Sequence, residues 1–475
     1  MNVRPCLQLL NPGHISQVHL YSIRILEDTG IEVESEEALK IFAKSDAVRI
    51  KDRIVYITRE LTEHALRKAP SSIRIFSKTG EPAFQLGKEQ GNETFFGIGA
   101  TNTWFQDIES SRVELFTRKH MQYSAKLGDL LENYSMVSTL GIPSDVSAEV
   151  SDLYSTLDLY ANTAKPLVLL ISGRNKINDV FELLSFLHGD ISAKPFCIPY
   201  LNPITPLVMN GETTDKMIAS INHNLPFIYS NYSMYGGTSP VSEGGTLALL
   251  NAELLAGLVF SQLVKEGSEI ILGSLPAAFN MTTMGTHYTT SSYLLNLACA
   301  EMMNHYEIPH CGTSGSNNGR GADLLASGNL WMNHLSSCMG KVGCAPFVGG
   351  NFDSVAFSPS TVVLSNQIIG EARKLARGFM LDDEVVNLAE IEKIGPGGDY
   401  FTSEQTLASL DKLNSTSVLW PSLSLEAWNR QNMPTVEREL IDYTRELYSR
   451  AAEEAEESFD LIKKGEEFIT TRFPN

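Results

Sequence analysis

Basic side chains are few for a chain of this size, and fewer than the acidic ones. Its 475 residues carry 37 Lys and Arg against 56 Asp and Glu, a formal net charge of −19. That balance argues against nucleic acid or an anionic membrane as the partner. Cysteine is sparse as well: Cys6, Cys197, Cys299, Cys311, Cys338 and Cys344 form no CxxC pair and no even ladder. They read as free thiols, and with no signal segment the expected location is a reducing cytoplasm. The one long apolar run, 245–264, is interrupted by Asn251, Glu253 and Gln262, as suits a buried helix rather than a membrane span. Nucleotide and hydrolase signatures are missing too. There is no GxxxxGK[ST], HExxH or GxSxG, and the glycines after Phe96 end in Asn102 where a dinucleotide fingerprint needs glycine.

What the chain has is a repeat. With 43% hydrophobic and 20% charged residues, it can bury a large core. From residue 93 onward, strand-like and helix-like segments alternate. Eight strands are expected at Phe95–Gly99, Met136–Leu140, Leu167–Ile171, Phe196–Tyr200, Phe227–Asn231, Glu269–Gly273, Ile308–Gly312 and Pro346–Gly349. Each is followed by enough chain for a helix and a loop, which predicts an α/β fold, a (β/α)8 TIM barrel over 91–378. An open doubly wound sheet is the alternative. Residues 1–90 read as an N-terminal α+β cap, with helices over 15–30, 35–45 and 60–68 and strands over 49–57 and 72–77. Residues 379–475 read as a C-terminal extension with a Leu419-Trp420-Pro421 loop and a long charged helix over 435–464.

In such a barrel, ligands bind where strands end. The stretch Pro226–Gly245 supplies Tyr229, Tyr232 and Tyr235 at the end of the fifth strand, and Asn231 stands among them. Trp104 follows strand one, Phe279 strand six, His310, Asn317 and Arg320 strand seven, and Phe352 strand eight. These ends are rich in aromatics, hydroxyls and amides. The nearest acids, Asp107, Glu243 and Asp353, are expected at the far ends of the loops. This inventory is poor for acid–base or Schiff-base chemistry and good for a polar-tipped aromatic box around a quaternary ammonium, each ring contributing roughly 0.5–2 kcal/mol. Trp104, Tyr229, Tyr232, Tyr235, Phe279 and Phe352 are candidates for the box. Asn231, His310, Asn317 and Arg320 are candidates to hold a substrate carboxylate, Arg320 as a bidentate partner. Plain core packing is the alternative for each aromatic. His310 and Cys311 with Cys338 or Cys344 could also supply zinc ligands, although buried thiols are ordinary core residues. Methyl transfer from a quaternary amine suits the box, because its leaving group is neutral and needs no general acid.

Several segments carry a resemblance. Ile25-Leu-Glu-Asp-Thr-Gly-Ile31, Gly236-Gly-Thr-Ser-Pro-Val-Ser-Glu-Gly-Gly-Thr246, Asn251-Ala-Glu-Leu-Leu-Ala-Gly257, Gly312-Thr-Ser-Gly-Ser316 and Ile394-Gly-Pro-Gly-Gly398 together resemble the trimethylamine methyltransferase superfamily. The resemblance implies a (β/α)8 fold and methyl transfer to the Co(I) of a corrinoid (cobalamin) carried by a separate corrinoid protein. Founding members carry pyrrolysine in the barrel. Here the corresponding region, about 314–318, holds ordinary residues, which points to the non-pyrrolysine branch and to a quaternary amine. Glycine betaine is the substrate expected, with carnitine or proline betaine as alternatives and a non-catalytic betaine-binding protein as the reading from another class. A homo-oligomer is also expected.

Overall fold

Short runs of β-branched and aliphatic residues separated by amphipathic helices leave a parallel sheet with both faces to bury, and closure is one way to do so. In the computed structural model, which describes residues 2–91, 93–99, 101–173, 176–410, 417 and 423–473, the sheet closes. Its strands are β1 Phe95–Ile98, β2 Tyr134–Ser138, β3 Leu167–Leu170, β4 Cys197–Leu201, β5 Phe227–Tyr235, β6 Ile270–Asn280, β7 His310–Cys311 and β8 Cys344–Val348. All eight pair in parallel, and β8 returns to β1. The eight expected units are present. The intervening helices are α1 Arg118–Leu130, α2 Ser151–Asn162, α3 Lys176–His188, α4 Gly211–Asn222, α5 Glu243–Val264, α6 Thr290–Tyr306, α7 Leu324–Met339 and α8 Pro359–Arg377.

The barrel interior is filled by one residue from most strands: Met136, Val168, Ile198, Ile228, Ile271, Cys311 and Cys344. Its lower end is plugged by a hairpin, 72–76 with 82–87, whose Ile73, Ile75, Phe84 and Leu86 join the same cluster. Phe84 stacks on Phe95 at 4.8 Å between ring centroids. The single strand expected over 72–77 is thus one half of a hairpin, Ser72–Phe76 pairing with Pro82–Gly87. The single strand expected over 49–57 is likewise a hairpin, Val48–Lys51 with Ile54–Ile57, turned at Asp52 with φ 57°. Residues 1–90 thus share their core with the barrel, Leu26, Val33 and Phe42 packing with Phe260 and Leu250 of α5.

Helix α5 is apolar enough to cross a membrane by composition, yet 89% of that window is buried inside the protein. Its polar side-chain atoms find partners there, with Asn251 Oδ1 the exception. Asn251 Nδ2 donates to Ser22 Oγ at 2.9 Å and to the Tyr306 hydroxyl at 3.1 Å, and Gln262 Nε2 donates to the Ser268 carbonyl at 3.2 Å. Hydrogen bonds to neighbouring elements offset the desolvation that would otherwise exclude these groups.

The C-terminal chain packs back on the barrel. The helix expected over 435–464 is two helices, Val436–Glu456 and Phe459–Arg472, parted at Ser458, whose hydroxyl donates to the Ala161 carbonyl at 2.8 Å. Gly465 lets the last helix approach α2 so closely that a methyl group there would meet Leu157 Cδ1 at 2.2 Å. The expected Leu419-Trp420-Pro421 loop lies outside the described residues. Arg118 ties these layers together. Its guanidinium grips the fully buried Asp158 through Nε at 2.9 Å and Nη2 at 2.8 Å, and reaches Glu466 at 2.6 Å. Burial pushes the Asp158 carboxyl up, and the Arg118 contacts oppose that shift. Removing one partner strands the other charge. Asp158→Ala should therefore cost about 3–5 kcal/mol of unfolding free energy in denaturant titrations; a loss below about 1 kcal/mol would show that the pair behaves as an exposed one.

Candidate mouth cavity

Strands β5 and β6 run past the barrel rim. They pair over nine positions, from Phe227 opposite Ile270 to Tyr235 opposite Ala278. The break expected after Asn231 does not occur, and so the alternation of a strand, not the freedom of a loop, decides where each tyrosine goes. Ile228 faces the interior; Tyr232, four residues on, faces the same way and lines a cavity of about 460 Å³ at the mouth. Tyr229 and Tyr235 are of the opposite parity. The Tyr229 ring lies on the outside of the wall against Gly257 of α5, where a methyl group would meet its Cε1 at 2.2 Å. Tyr235 is half-buried on that side, with its hydroxyl on Thr289 Oγ1.

The other residues singled out in the sequence are also distributed by parity and loop shape. Asn231 points outward, donating to Glu253 Oε2 at 2.8 Å and to the Leu250 carbonyl at 2.9 Å, and accepting from Ser274 Oγ at 2.8 Å. Glu253 in turn accepts from Thr205 Oγ1 at 2.9 Å and the Leu207 N–H at 2.7 Å, and burial raises its carboxyl to about 7. That network braces the loop after β4. His310 is opposite in parity to the interior Cys311; its buried ring receives the Gly343 N–H at 3.5 Å, and desolvation lowers it to about 3. It lies away from the cavity. Among the described residues no three or more His, Cys, Asp or Glu side chains gather as a metal would require. Trp104 and Phe352 are partly exposed at the rim, Arg320 is exposed, and Phe279 packs on Gly237. None of these lines the cavity. The box expected from six aromatics therefore keeps one of them, Tyr232.

Other rings complete it. Tyr200, the last inward residue of β4, and Phe347 of β8 meet edge to face at 4.8 Å. Tyr288 closes a further side, and Leu170, Met234 and Leu275 supply apolar surface. Tyr200 could have been found by carrying the in–out alternation on from Ile198; Phe347 could not, because a register shift between Ala345 and Val348 turns it inward three residues after the interior Cys344. Tyr288 follows the strand Gly285–His287, which pairs with the tip of β6 and carried no sequence signal. Thr101, Leu170, Tyr200 and Asn202 also border an adjoining lobe of about 440 Å³ that contains Lys216.

Asp353 corrects the expectation of a mouth without acids. It lines the cavity, where the described residues include no lysine, arginine or histidine. Phe352, Asp353 and Ser354 all adopt left-handed backbone, with φ 52°, 56° and 69°. Asn317 holds them so. Its carbonyl accepts the Asp353 N–H at 2.9 Å, and its side chain donates to the Gly350 carbonyl at 2.9 Å and accepts from the Gly319 N–H at 2.8 Å. Asn351, bonded to Asn317, Gln106 and Thr361, extends the bracket to the loop after β1. With its side-chain amide engaged in this way, Asn317 shapes the loop and lies behind the cavity wall.

Burial raises the Asp353 carboxyl to about 6, with the Tyr288 N–H at 3.4 Å and the nearby His287 opposing the shift. Burial likewise raises Tyr232, which bonds to Thr286 and feels the Asp353 charge. An acid whose folded value lies above its unfolded one is destabilising when ionised, so the penalty is complete above about 6 and disappears below the ordinary carboxylate range. Asp353→Asn should accordingly melt higher than the parent at pH 8. The gap should close as pH falls from about 6 to 4; a gap independent of pH would contradict the placement of the carboxyl.

The family model for trimethylamine methyltransferase (MTTB) matches residues 1–456. Glycine betaine methyltransferase of Desulfitobacterium hafniense (strain Y51) is 24% identical over 439 residues, covering 91% of each chain. Trimethylamine methyltransferase MttB of Methanosarcina barkeri (strain Fusaro / DSM 804) is 26% identical over 416 residues, 85% of this chain and 83% of that one. Among solved structures, the monomethylamine methyltransferase MtmB of Methanosarcina barkeri superposes with a TM-score of 0.52 at 10% identity, covering 94% of this chain and 92% of that one.

Proposed function

Because the chain belongs to the trimethylamine methyltransferase family, and is thus a methyltransferase, we propose that it takes a methyl group from a quaternary amine held in the mouth cavity and delivers it to the Co(I) of a corrinoid protein. The observation that carries this reading is the lining itself. Tyr232, Tyr288, Tyr200 and Phe347 surround one space together with the carboxylate of Asp353. Aromatic faces and a carboxylate attract a methylated ammonium more strongly than an uncharged or anionic guest of the same shape.

The chemistry needs little more. The carbon–nitrogen bond breaks as the methyl carbon passes to cobalt. Its electron pair stays on nitrogen, the amine leaves neutral, and no proton moves at that step. The protein's part is to bind and orient the cation, to point one methyl at the open mouth and to exclude water. The positive charge on nitrogen falls in the transition state, so grip on that charge helps binding more than it helps the rate.

The acceptor's approach has a surface to match. Exposed apolar side chains follow six of the eight strands: Ile142 after β2, Ile204 after β4, Val241 after β5, Met281 and Met284 after β6, Leu324 at the start of α7 after β7, and Val355 after β8. Val241, Met284 and Leu324 are 78%, 72% and 86% exposed. Apolar side chains exposed at this end of the barrel suit a protein partner that approaches the mouth. The resemblance by itself ranks glycine betaine first among donors, with carnitine and proline betaine in the same class; each of these carries a carboxylate of its own, for which the lining has Asp353 and, among the described residues, no cationic side chain.

The direct test mixes the protein with reduced free cobalamin and a panel of quaternary and tertiary amines, following methyl-Co(III) spectrally. At least one quaternary amine should methylate cobalt; none doing so would overturn the proposal. Tyr232→Ala should weaken binding of that amine by about 2- to 30-fold, the range a lost cation–π contact gives. Tyr235→Phe, altered on the outer face of the wall, should leave it unchanged.

A further inference from the structure

We propose that Asp353 selects the substrate by charge, so that this cavity favours a quaternary ammonium with a neutral or hydroxylated arm over one with a carboxylate beside the nitrogen. The inference rests on the reading of the cavity as a methylammonium site and narrows the class of donor.

Three observations carry it. Asp353 lines the cavity and no lysine, arginine or histidine does so among the described residues. A cation entering there finds its one counter-charge in Asp353. A carboxylate on the same guest finds a like charge in Asp353, and the lysine of the adjoining lobe, Lys216, is engaged by the Ile171 and Ser172 carbonyls at 2.7 and 3.0 Å and accompanied by Asp152 and Glu212; inside a partly desolvated site the repulsion is weakly screened. Secondly, the acid is placed rather than left to sample. Three consecutive left-handed residues, the Asp353 N–H on the Asn317 carbonyl at 2.9 Å and the Ser316–Ser354 hydroxyl contact at 2.8 Å fix where its side chain begins. Non-glycine residues held in this region are costly and persist where surrounding contacts enforce them, commonly at functional sites. Thirdly, the remaining polar lining consists of neutral groups such as Thr101, Asn202, Thr313 and Ser316. These can bond a hydroxyl or ether arm but cannot neutralise a carboxylate.

The nitrogen's charge disappears as the methyl leaves, so Asp353 stabilises bound substrate more than the transition state. Its removal should therefore raise KM without lowering kcat, a split that a loss of structure would not produce.

Calorimetric titration of the full-length protein tests this with three probes of similar shape: choline, its uncharged carbon analogue 3,3-dimethyl-1-butanol, and glycine betaine. At pH 8, choline should bind at least about tenfold tighter than either of the others. In Asp353→Asn, choline should weaken by about tenfold while glycine betaine holds or gains, so that the preference collapses. The comparison on the unaltered protein stands even should the variant fold poorly. Glycine betaine binding as tightly as choline to the unaltered protein, or a preference unchanged in a folded Asp353→Asn, would overturn the assignment. Either result leaves methyl transfer intact provided one quaternary amine methylates cobalamin, whereas failure of every amine to do so defeats the broader reading instead.

Discussion

The site depends on a short stretch of backbone held in a conformation it would not choose. Left-handed φ at Phe352, Asp353 and Ser354 costs on the order of 1–3 kcal/mol per residue. The amide network of Asn317, Asn351 and Gln106 offsets that cost by bonding the loops after β1, β7 and β8 to one another. Because those amides lie buried, each hydrogen bond lost would leave a desolvated partner behind. The consequence is a carboxylate presented to an aromatic cavity with no cationic side chain among the described lining residues.

The rest of the architecture serves that arrangement. The hairpin at 72–87 fills the lower end of the barrel and leaves the upper end as the open one. The long ribbon of β5 and β6 raises a wall on one side, bringing Tyr232 inward and Tyr229 outward by alternation alone. Glu253, outside that wall, braces Thr205 and Leu207 on the neighbouring loop after β4. Helix α5 can be almost wholly buried because its amide and carboxyl side chains find partners on other elements. Stability and site geometry thus share residues, as they do when a rigid scaffold positions groups at its strand ends.

The repeat of the barrel was legible in the sequence because eight apolar runs recur at strand-plus-helix spacing, and each needs a neighbour to bury it. The length of β5 was less legible. Asn231 and the glycines beyond it look like a strand end, yet pairing with β6 carries the strand on to Tyr235. That error made three tyrosines appear equivalent when only Tyr232 faces the cavity. His310 and Asn231 have the polarity of ligand groups, but parity turns both outward. Arg320, suited by charge to a carboxylate, is left exposed by its loop. Asp353 was legible as a residue and not as a position. Its placement follows from contacts among three loops distant in sequence, which no local pattern encodes. Tyr288 entered the site for the same reason, through the hairpin that caps β6.

The central claim is spatial: a methylated ammonium sits inside the mouth, between the Tyr232 ring and Asp353. A crystal structure of the protein with choline bound tests it most directly. The nitrogen should lie within about 6 Å of the Tyr232 centroid and of at least one of Tyr288, Tyr200 or Phe347, with the Asp353 carboxylate facing it. Choline found instead at the outer rim, or in the Lys216 lobe with no contact to Tyr232 or Asp353, would contradict the account.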